Sequence, residues 1–506
     1  MRESIGNCKT DKIKKSVKIW QVLLCVVLLG SVPAQAQFLR TSYFMEGSHY
    51  RMQLNPALTP GRGYLNLPVI GSFNATVNTS SLGYQDVIDI IDNSSDGDYF
   101  MSSDFINRLD ATNELNVNLS TDIISAGWYK GKNFWSFNIG LRNDIGASVP
   151  RTMFEFMREM NGVDINSMDW SNYNRTVGKE SLNINSYAEI GVGFARDINA
   201  RLTVGGRVKA LLGIGNMKLD INKIAVNTNL QGIADVENLD WSRVADDQEY
   251  ANELAEKIGG TGRIDVEARL ESSFKGLELQ ENEDGYIDEF KFEGDKLGIA
   301  GYGAAIDLGA SYKLLDRLTL SASILDLGFM KWSKNGTSVA TSRSSENLSF
   351  DFNQPTLQGK VDEVQRFANV VGSGEVLNFD MLQMQVDENE AKSRSTSLTS
   401  TLVIGAEYAL LGNWLTVGAL YTSRFAKPKT LNELTFSANL RPANSLNLAA
   451  SYSVLQGSGK TFGVAVKLGP LFVGTDYMYL GENSKNVNAY IGISLPLSKQ
   501  KKPADI

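Results

Sequence analysis

The side chains best placed to do chemistry in this chain are charged residues that fall on every second position among apolar ones. Asp122, Arg142, Glu189, Arg207 and Lys209, with Asn118, all occupy the polar parity of segments whose other parity is apolar. Ionised groups of both signs on one face of a sheet need water or one another. They therefore mark a polar interior, and we read all six as candidates for lining a lumen. If the turn 131–133 joins residue 130 to residue 134, Asp122 lies opposite Arg142. If the turn 198–200 joins 197 to 201, Glu189 lies opposite Lys209, with Arg207 diagonal. Such cross-strand pairs of opposite charge contribute roughly 0.2–1 kcal/mol each.

Nothing nearby suggests covalent, phosphate or metal chemistry. His49 is the only histidine, and no G-x-S-x-G elbow accompanies it, which leaves no basis for a histidine triad or a His-rich metal site. Gly457-Ser458-Gly459-Lys460-Thr461 looks like a phosphate loop, but Val454 stands where the first glycine is required. The stretch Asp92 to Asp98 begins like a calcium loop, yet Ser103 takes the place of the bidentate glutamate at the twelfth position. The expectation is a protein that is not an enzyme, with no catalytic residues, no metal and no cofactor.

The elements that carry these residues begin after a leader. Lys12, Lys14, Lys15 and Lys18 precede an apolar run, Ile19 to Gly30, too short to span a bilayer, and Ala34-Gln35-Ala36 supplies a cleavage site. Residues 1–36 thus read as a signal peptide, leaving 470 residues. Both cysteines, Cys8 and Cys25, depart with it, so no disulfide can hold the mature fold. The leader takes six of the 49 Lys and Arg and two of the 57 Asp and Glu, which makes the mature net charge −12. An acidic balance argues against nucleic acid as a partner.

From residue 64 the chain alternates apolar and polar residues in about fourteen segments. They are 64–78, 113–129, 134–147, 181–197, 201–218, 299–314, 318–332, 397–410, 414–426, 432–441, 446–456, 461–469, 471–480 and 486–497. Asp326 falls on the apolar parity of its segment, which predicts a bulge there, and Pro68 needs a strand end or bulge. Connections after even-numbered segments are short. The long ones, 79–112, 148–180, 219–298 and 333–396, all follow odd-numbered segments. A closed antiparallel barrel in an outer membrane sorts its loops in this way, with both termini on the periplasmic side. Trp135, Tyr302, Tyr312, Tyr408, Tyr421, Tyr452 and Tyr477 lie on the apolar parity and suit an interfacial girdle. The fold expected is all-β: a transmembrane barrel over 64–497, with a periplasmic tail at 498–506.

The long loops contain elements of their own. Residues 243–258 read as an acidic amphipathic helix closed by Gly259-Gly260, 263–274 and 285–293 as strands, and 360–370 as a second helix. Together they predict a lid over the outer mouth. Gly298, Gly301 and Gly303 suit close backbone approach or lumen space.

Residues 37–63 lack clean periodicity and precede the barrel. They carry Asn55-Pro56-Ala57 within RMQLNPALTPGRGYLNLP, and 318–332 contains SASILDLGF. With the leader and the strand layout, these motifs make the chain similar to the FadL-type and PorV-type outer-membrane barrels, in an uncharacterised branch. The resemblance implies that 37–63 form a hatch plugging the barrel, with Asn55, Pro56 and Ala57 as its turn. It also implies passive movement of hydrophobic molecules into the barrel and sideways into the membrane. Two features depart from that pattern: a basic tail (Lys499, Lys501, Lys502) without a terminal aromatic, and the length of 219–298. The expected partners are outer-membrane lipid and a hydrophobic or amphiphilic small molecule. The alternative is a non-transport barrel that docks or shuttles secreted or surface proteins through its long loops.

Overall fold

The computed structural model describes residues 40–45, 48–66, 72–83, 86, 102–162, 168–244, 247–282, 285–342, 348–372, 382–411, 414–427, 429–443, 445–455, 461–478 and 485–497. The leader 1–36, the tail 498–506, Pro68, the stretch Asp92 to Asp98 and Gly457 to Lys460 lie outside them.

Alternation becomes a two-faced wall. We label its strands β1 (Tyr64–Asn66, resuming at Phe73–Thr79), β2 (Thr112–Lys130), β3 (Asn133–Pro150), β4 (Glu180–Asp197), β5 (Leu202–Gln231), β6 (Gly301–Leu315) and β7 (Leu318–Trp332). The second half comprises β8 (Thr401–Ala409), β9 (Leu415–Arg424), β10 (Leu431–Ala443), β11 (Leu446–Leu455), β12 (Thr461–Leu468), β13 (Leu471–Met478) and β14 (Asn486–Ile493). Each pairs antiparallel with the next, and β14 pairs with β1 through Phe73 opposite Ile491, so the ring closes without an edge. Val208 is 64% exposed while its neighbours Arg207 and Lys209 are 8% and 4% exposed. One residue step thus moves a side chain from the outer face to the sealed inside. Outward positions carry Val192, Phe194, Ile306, Leu308, Ile404, Phe436 and Ile491, with Trp135, Tyr302, Tyr312, Tyr408 and Tyr452 also exposed there. An apolar outer band with an aromatic girdle around a polar interior is the signature of an outer-membrane barrel. No helix among the described residues is long and apolar enough to cross a membrane.

The two hairpin registers differ from those expected. Lys130 pairs with Asn133 across a two-residue turn, and a bulge intervenes between Asp122 and Ile124, so Asp122 faces Gly140 and Arg142 faces Ser120. Likewise Asp197 pairs with Thr203, so Glu189 faces Leu211 and Lys209 faces Gly191. The charged partners stay on one face and meet diagonally instead of directly. The bulge expected at Asp326 is present. The β6–β7 register shifts between the pairs Ile306–Leu327 and Leu308–Ile324, and Asp326 adopts φ 55°.

Above the band the long connections build a lid. Strands β4 and β5 run on beyond it, and Gly259–Phe274 folds back along β5 from Gly215 to Gln231. The expected helix 243–258 divides into Trp241–Val244 and Gln248–Lys257, because the Asp247 side chain caps the latter by accepting from the Tyr250 amide at 3.0 Å. Residues Ile287–Phe292 form a hairpin with Leu277–Glu281, and Leu357–Gly372 is the second helix. Trp170, Trp241, Phe350 and Phe352 pack on Phe367, with Trp241 and Phe367 ring centres 5.0 Å apart, in a core continuous with Val177, Leu182 and Ile264.

Glu180, at the lid end of β4, sits beside this core with neither carboxylate oxygen hydrogen-bonded. Burial pushes its carboxyl up to about 7. A raised acid pKa means that the folded lid holds the proton more tightly than the unfolded one. Its stability is therefore fullest below about pH 4.5 and falls as pH rises towards 7, by about 2–3 kcal/mol. Glu180→Gln is expected to slow amide exchange of 259–270 at pH 8.5 and to leave it unchanged at pH 4. Equal exchange at pH 8.5 would show that the carboxylate is solvated.

Candidate functional site

The described residues between Arg40 and Leu58 are almost wholly buried, and their partners are inward-facing residues from all round the ring. The Arg40 and Thr41 amides donate to Asp476 on β13 at 3.0 and 2.8 Å, and the Arg40 guanidinium pairs with Glu433 on β10 at 3.0 Å. Arg51 pairs with Glu407 on β8, and the Tyr43 hydroxyl bonds Ser321 on β7. Gln53 donates to Asp122 on β2 at 2.8 Å. The Met52 carbonyl accepts from Arg207 on β5 at 2.9 Å, and the Leu54 carbonyl from Ser323 on β7 at 2.5 Å. His49 bonds Asn66 through Nε2 at 2.8 Å and stacks on Tyr64 with ring centres 4.3 Å apart. The lone histidine is thus held as a packing residue.

Asn55, Pro56 and Ala57 make a turn at the wall. The Asn55 carboxamide accepts from the Ala57 amide at 2.9 Å, the local bond that suits asparagine to turns, and donates to the carbonyls of Ala310 and Ala322 at 3.2 Å each. At several points where the segment touches the ring, the ring has glycine. A Cβ at Gly309 would strike Asn55 and Pro56, one at Gly205 would strike Pro56, at Gly405 Tyr43, at Gly463 Thr41 and at Gly492 Tyr50. These strands were not read from sequence as a seat, because a glycine in alternation looks the same whether it faces a neighbour or empty space. Gly309→Val would have to displace Asn55, at a cost of about 1–3 kcal/mol. Trypsin cleavage at Arg51 and Arg62 in the folded protein is then expected to accelerate, and an unchanged rate would mean that the segment tolerates the side chain where it sits.

Five of the six expected lumen residues meet beside this segment. Arg142 reaches Asp122 at 2.7 Å and Glu189 at 3.3 Å. Lys209 reaches Glu189 at 3.5 Å, Asp307 at 2.9 Å and Asp326 at 2.6 Å, and Arg207 reaches Asp307 at 3.8 Å. Asn138 donates to Glu189 at 2.7 Å. Asn118 lies apart, bonded to Asp144, which also pairs with Arg424. Asp307 and Asp326 belong to the cluster but were missed as lining residues, although Asp307 keeps the polar parity of its strand. Asp326 was read only as a break in parity. It turns inward because of the bulge, and its amide donates to Asp307 at 2.8 Å.

Two cavities lie between segment and wall. One of about 30 Å³ is bounded by Gln53, Leu54, Arg142, Arg207, Lys209 and Asp326. One of about 10 Å³ lies by His49, Tyr64 and Asp122. Such volumes hold roughly one or two waters. Both are polar, unlike the apolar pocket that a bound hydrophobic molecule would require.

Among solved structures the chain is similar to the toluene transporter TbuX of Ralstonia pickettii, at 9% identity over 89% of this chain and 94% of that one, TM-score 0.37. It is similar to the toluene transporter TodX of Pseudomonas putida, at 10% identity over 91% and 93%, TM-score 0.34. It is also similar to a FadL homologue of Pseudomonas aeruginosa, at 9% identity over 92% and 96%, TM-score 0.34. No curated protein matches the sequence. The profile of one family, described as a family of unknown function, DUF5723, covers residues 56–476 from the Asn-Pro-Ala turn to β13, and the chain belongs to that family.

Proposed function

We propose that this barrel lets a hydrophobic or amphiphilic small molecule cross the outer membrane passively, with residues 37–63 acting as its hatch. One observation carries the reading. The described residues between Arg40 and Leu58 meet the wall through side-chain contacts and a seat of wall glycines, which supports a closure that leaves without breaking the ring. Polar bonds and ion pairs suit a closure that must reopen, since water can replace them when the segment moves. In this reading the short turns and both termini face the periplasm and the lid faces outward. Asn55, Pro56 and Ala57 form the hatch turn, while Asp122, Arg142, Glu189, Arg207 and Lys209 line the wall that the hatch leaves. The toluene named for two of the similar structures supplies a first probe. Proteoliposomes carrying the protein are expected to equilibrate labelled toluene or a fluorescent fatty acid faster than liposomes carrying a variant whose hatch is cross-linked to β11 through Thr41→Cys and Ser451→Cys, positions whose hydroxyls lie 2.7 Å apart. Equal rates would overturn the reading.

The alternative, a sealed barrel that docks secreted proteins, is favoured by the lid, whose continuous aromatic core is that of a folded binding domain. It predicts no transport from either preparation.

A further inference from the structure

We infer that the short-turn end of the barrel is a docking face for an acidic periplasmic protein. Charge along this molecule is sharply divided. The connection 219–298 at the lid end holds 20 Asp and Glu against 8 Lys and Arg, a net −12. The short turns and the strand ends beside them (residues 62, 130–133, 196–201, 313–317, 410–414, 441–445 and 467–471) hold nine basic residues against two acidic ones, Asp197 and Asp316, a net +7. A chain acidic overall thus carries a net positive charge on this face.

That face is built for a partner from the aqueous side. Arg201, Lys313 and Arg317 stand exposed on neighbouring turns, joined where the Lys313 amide donates to the Arg201 carbonyl at 2.8 Å and the Ala409 amide to the Arg317 carbonyl at 2.9 Å. Lys132 is exposed on the β2–β3 turn. Lys467 keeps the inward parity of Ala465 on β12 and lies near enough to Arg62, just after the hatch, for the two like charges to repel. None of these six pairs with a carboxylate among the described residues. Like charges brought together without counter-charges are an unfavourable arrangement that an anionic partner relieves.

Geometry separates the candidate partners. Lipid headgroups meet outward side chains, whereas Lys313 shares the inward parity of Asp307, and Lys467 that of Ala465. A small anion touches one or two of these groups. Only a surface as wide as the mouth meets Lys132, Arg201, Lys313, Arg317 and Lys467 together, which is what the face of a folded acidic domain provides. The inference uses the orientation proposed above and not the transport reading, so a barrel that never conducts leaves it intact.

The test uses the full mature protein in phosphatidylethanolamine nanodiscs. The probes are a Glu-rich helical peptide, its Lys-rich counterpart, peptidoglycan fragments, and nanodiscs doped with phosphatidylglycerol. The Glu-rich peptide is expected to bind alone, and its carboxylates to cross-link to Lys132 and Lys313. Binding should weaken at least tenfold in Arg201→Glu/Lys313→Glu/Arg317→Glu, and also in the milder Arg201→Gln/Lys313→Gln/Arg317→Gln should reversal disturb assembly. Electrostatic association responds on this scale, roughly 10- to 1,000-fold in on-rate. Unchanged binding by either triple variant would overturn the inference, as would cross-links to lid lysines. A charge-dependent preference for peptidoglycan fragments or phosphatidylglycerol would also overturn it, and would assign the face to glycan or lipid.

Discussion

Deleting residues 37–63 is expected to turn a silent protein into a conducting one in planar bilayers. The ring owes its closure to strand ladders, from β1 paired with β14 round to β13, to which the segment adds one bond at its end, where the Gly63 carbonyl accepts from the Leu497 amide at 2.9 Å. Among the described residues, the segment meets the wall mainly through side-chain bonds, bonds to its carbonyls and packing. The deletion therefore removes the obstruction and leaves the wall. Strand number sets what remains: eight-stranded barrels are filled by their own side chains, and 16- to 18-stranded porins leave an aqueous channel. A ring of fourteen lies nearer the porins, and several of its wall positions beneath the hatch are glycine, so a porin-like step in conductance should appear. Full-length protein should show brief openings at most. Correct insertion of the truncated chain is checked by its heat-modifiable mobility on gels. If inserted protein stays silent after truncation, a second closure lies at the lid, and the hatch cannot be the gate.

Much of this is legible in the sequence. Period-two alternation fixes which face each side chain takes, so the lumen assignment of Asp122, Arg142, Glu189, Arg207 and Lys209 needed only parity. Parity survives a register error of two residues, which is the size of the error made at both hairpins. Cross-strand partners did not survive it, because register depends on turn length and bulges, and the bulge beside Asp122 leaves no mark in the residue pattern. Asp326 shows the opposite case. A charged residue on the apolar parity announced a bulge, but its contact with Lys209 depends on which way a residue at φ 55° points. The seat of the hatch was invisible for a different reason. Contacts between Pro56 and Gly205, or Tyr43 and Gly405, join residues far apart in sequence, and no local rule links them. The lid was legible as elements but not as one core, since Trp170, Trp241 and Phe367 come from three separate connections.

Lys209→Met is expected to be the most damaging single substitution in the wall. The cluster holds four carboxylates, Asp122, Glu189, Asp307 and Asp326, against Arg142, Arg207 and Lys209. Lys209 is the only group that touches three of them. Methionine keeps the length of the stem and removes the charge, so the loss isolates electrostatics from packing. Removing one partner of a buried ion pair costs about 3–5 kcal/mol, because the other charge stays buried without compensation. Here three carboxylates lose a partner at once, and the small polar cavity beside them admits only a water or two to replace it. The midpoint of urea unfolding from bilayers should fall accordingly, with the folded, heat-modifiable fraction falling in step. Adding Asp307→Asn to Lys209→Met restores the charge balance of the cluster and should recover a large share of the loss, the non-additivity that marks a true pair. Failure to recover would mean that the ammonium matters through its geometry, as the group that holds the Asp326 bulge against β5, and not through the charge it carries. The two outcomes differ in what they predict for Lys209→Arg. A charge role tolerates the substitution, and a bulge-holding role does not, because a planar guanidinium cannot meet three carboxylates from a single nitrogen.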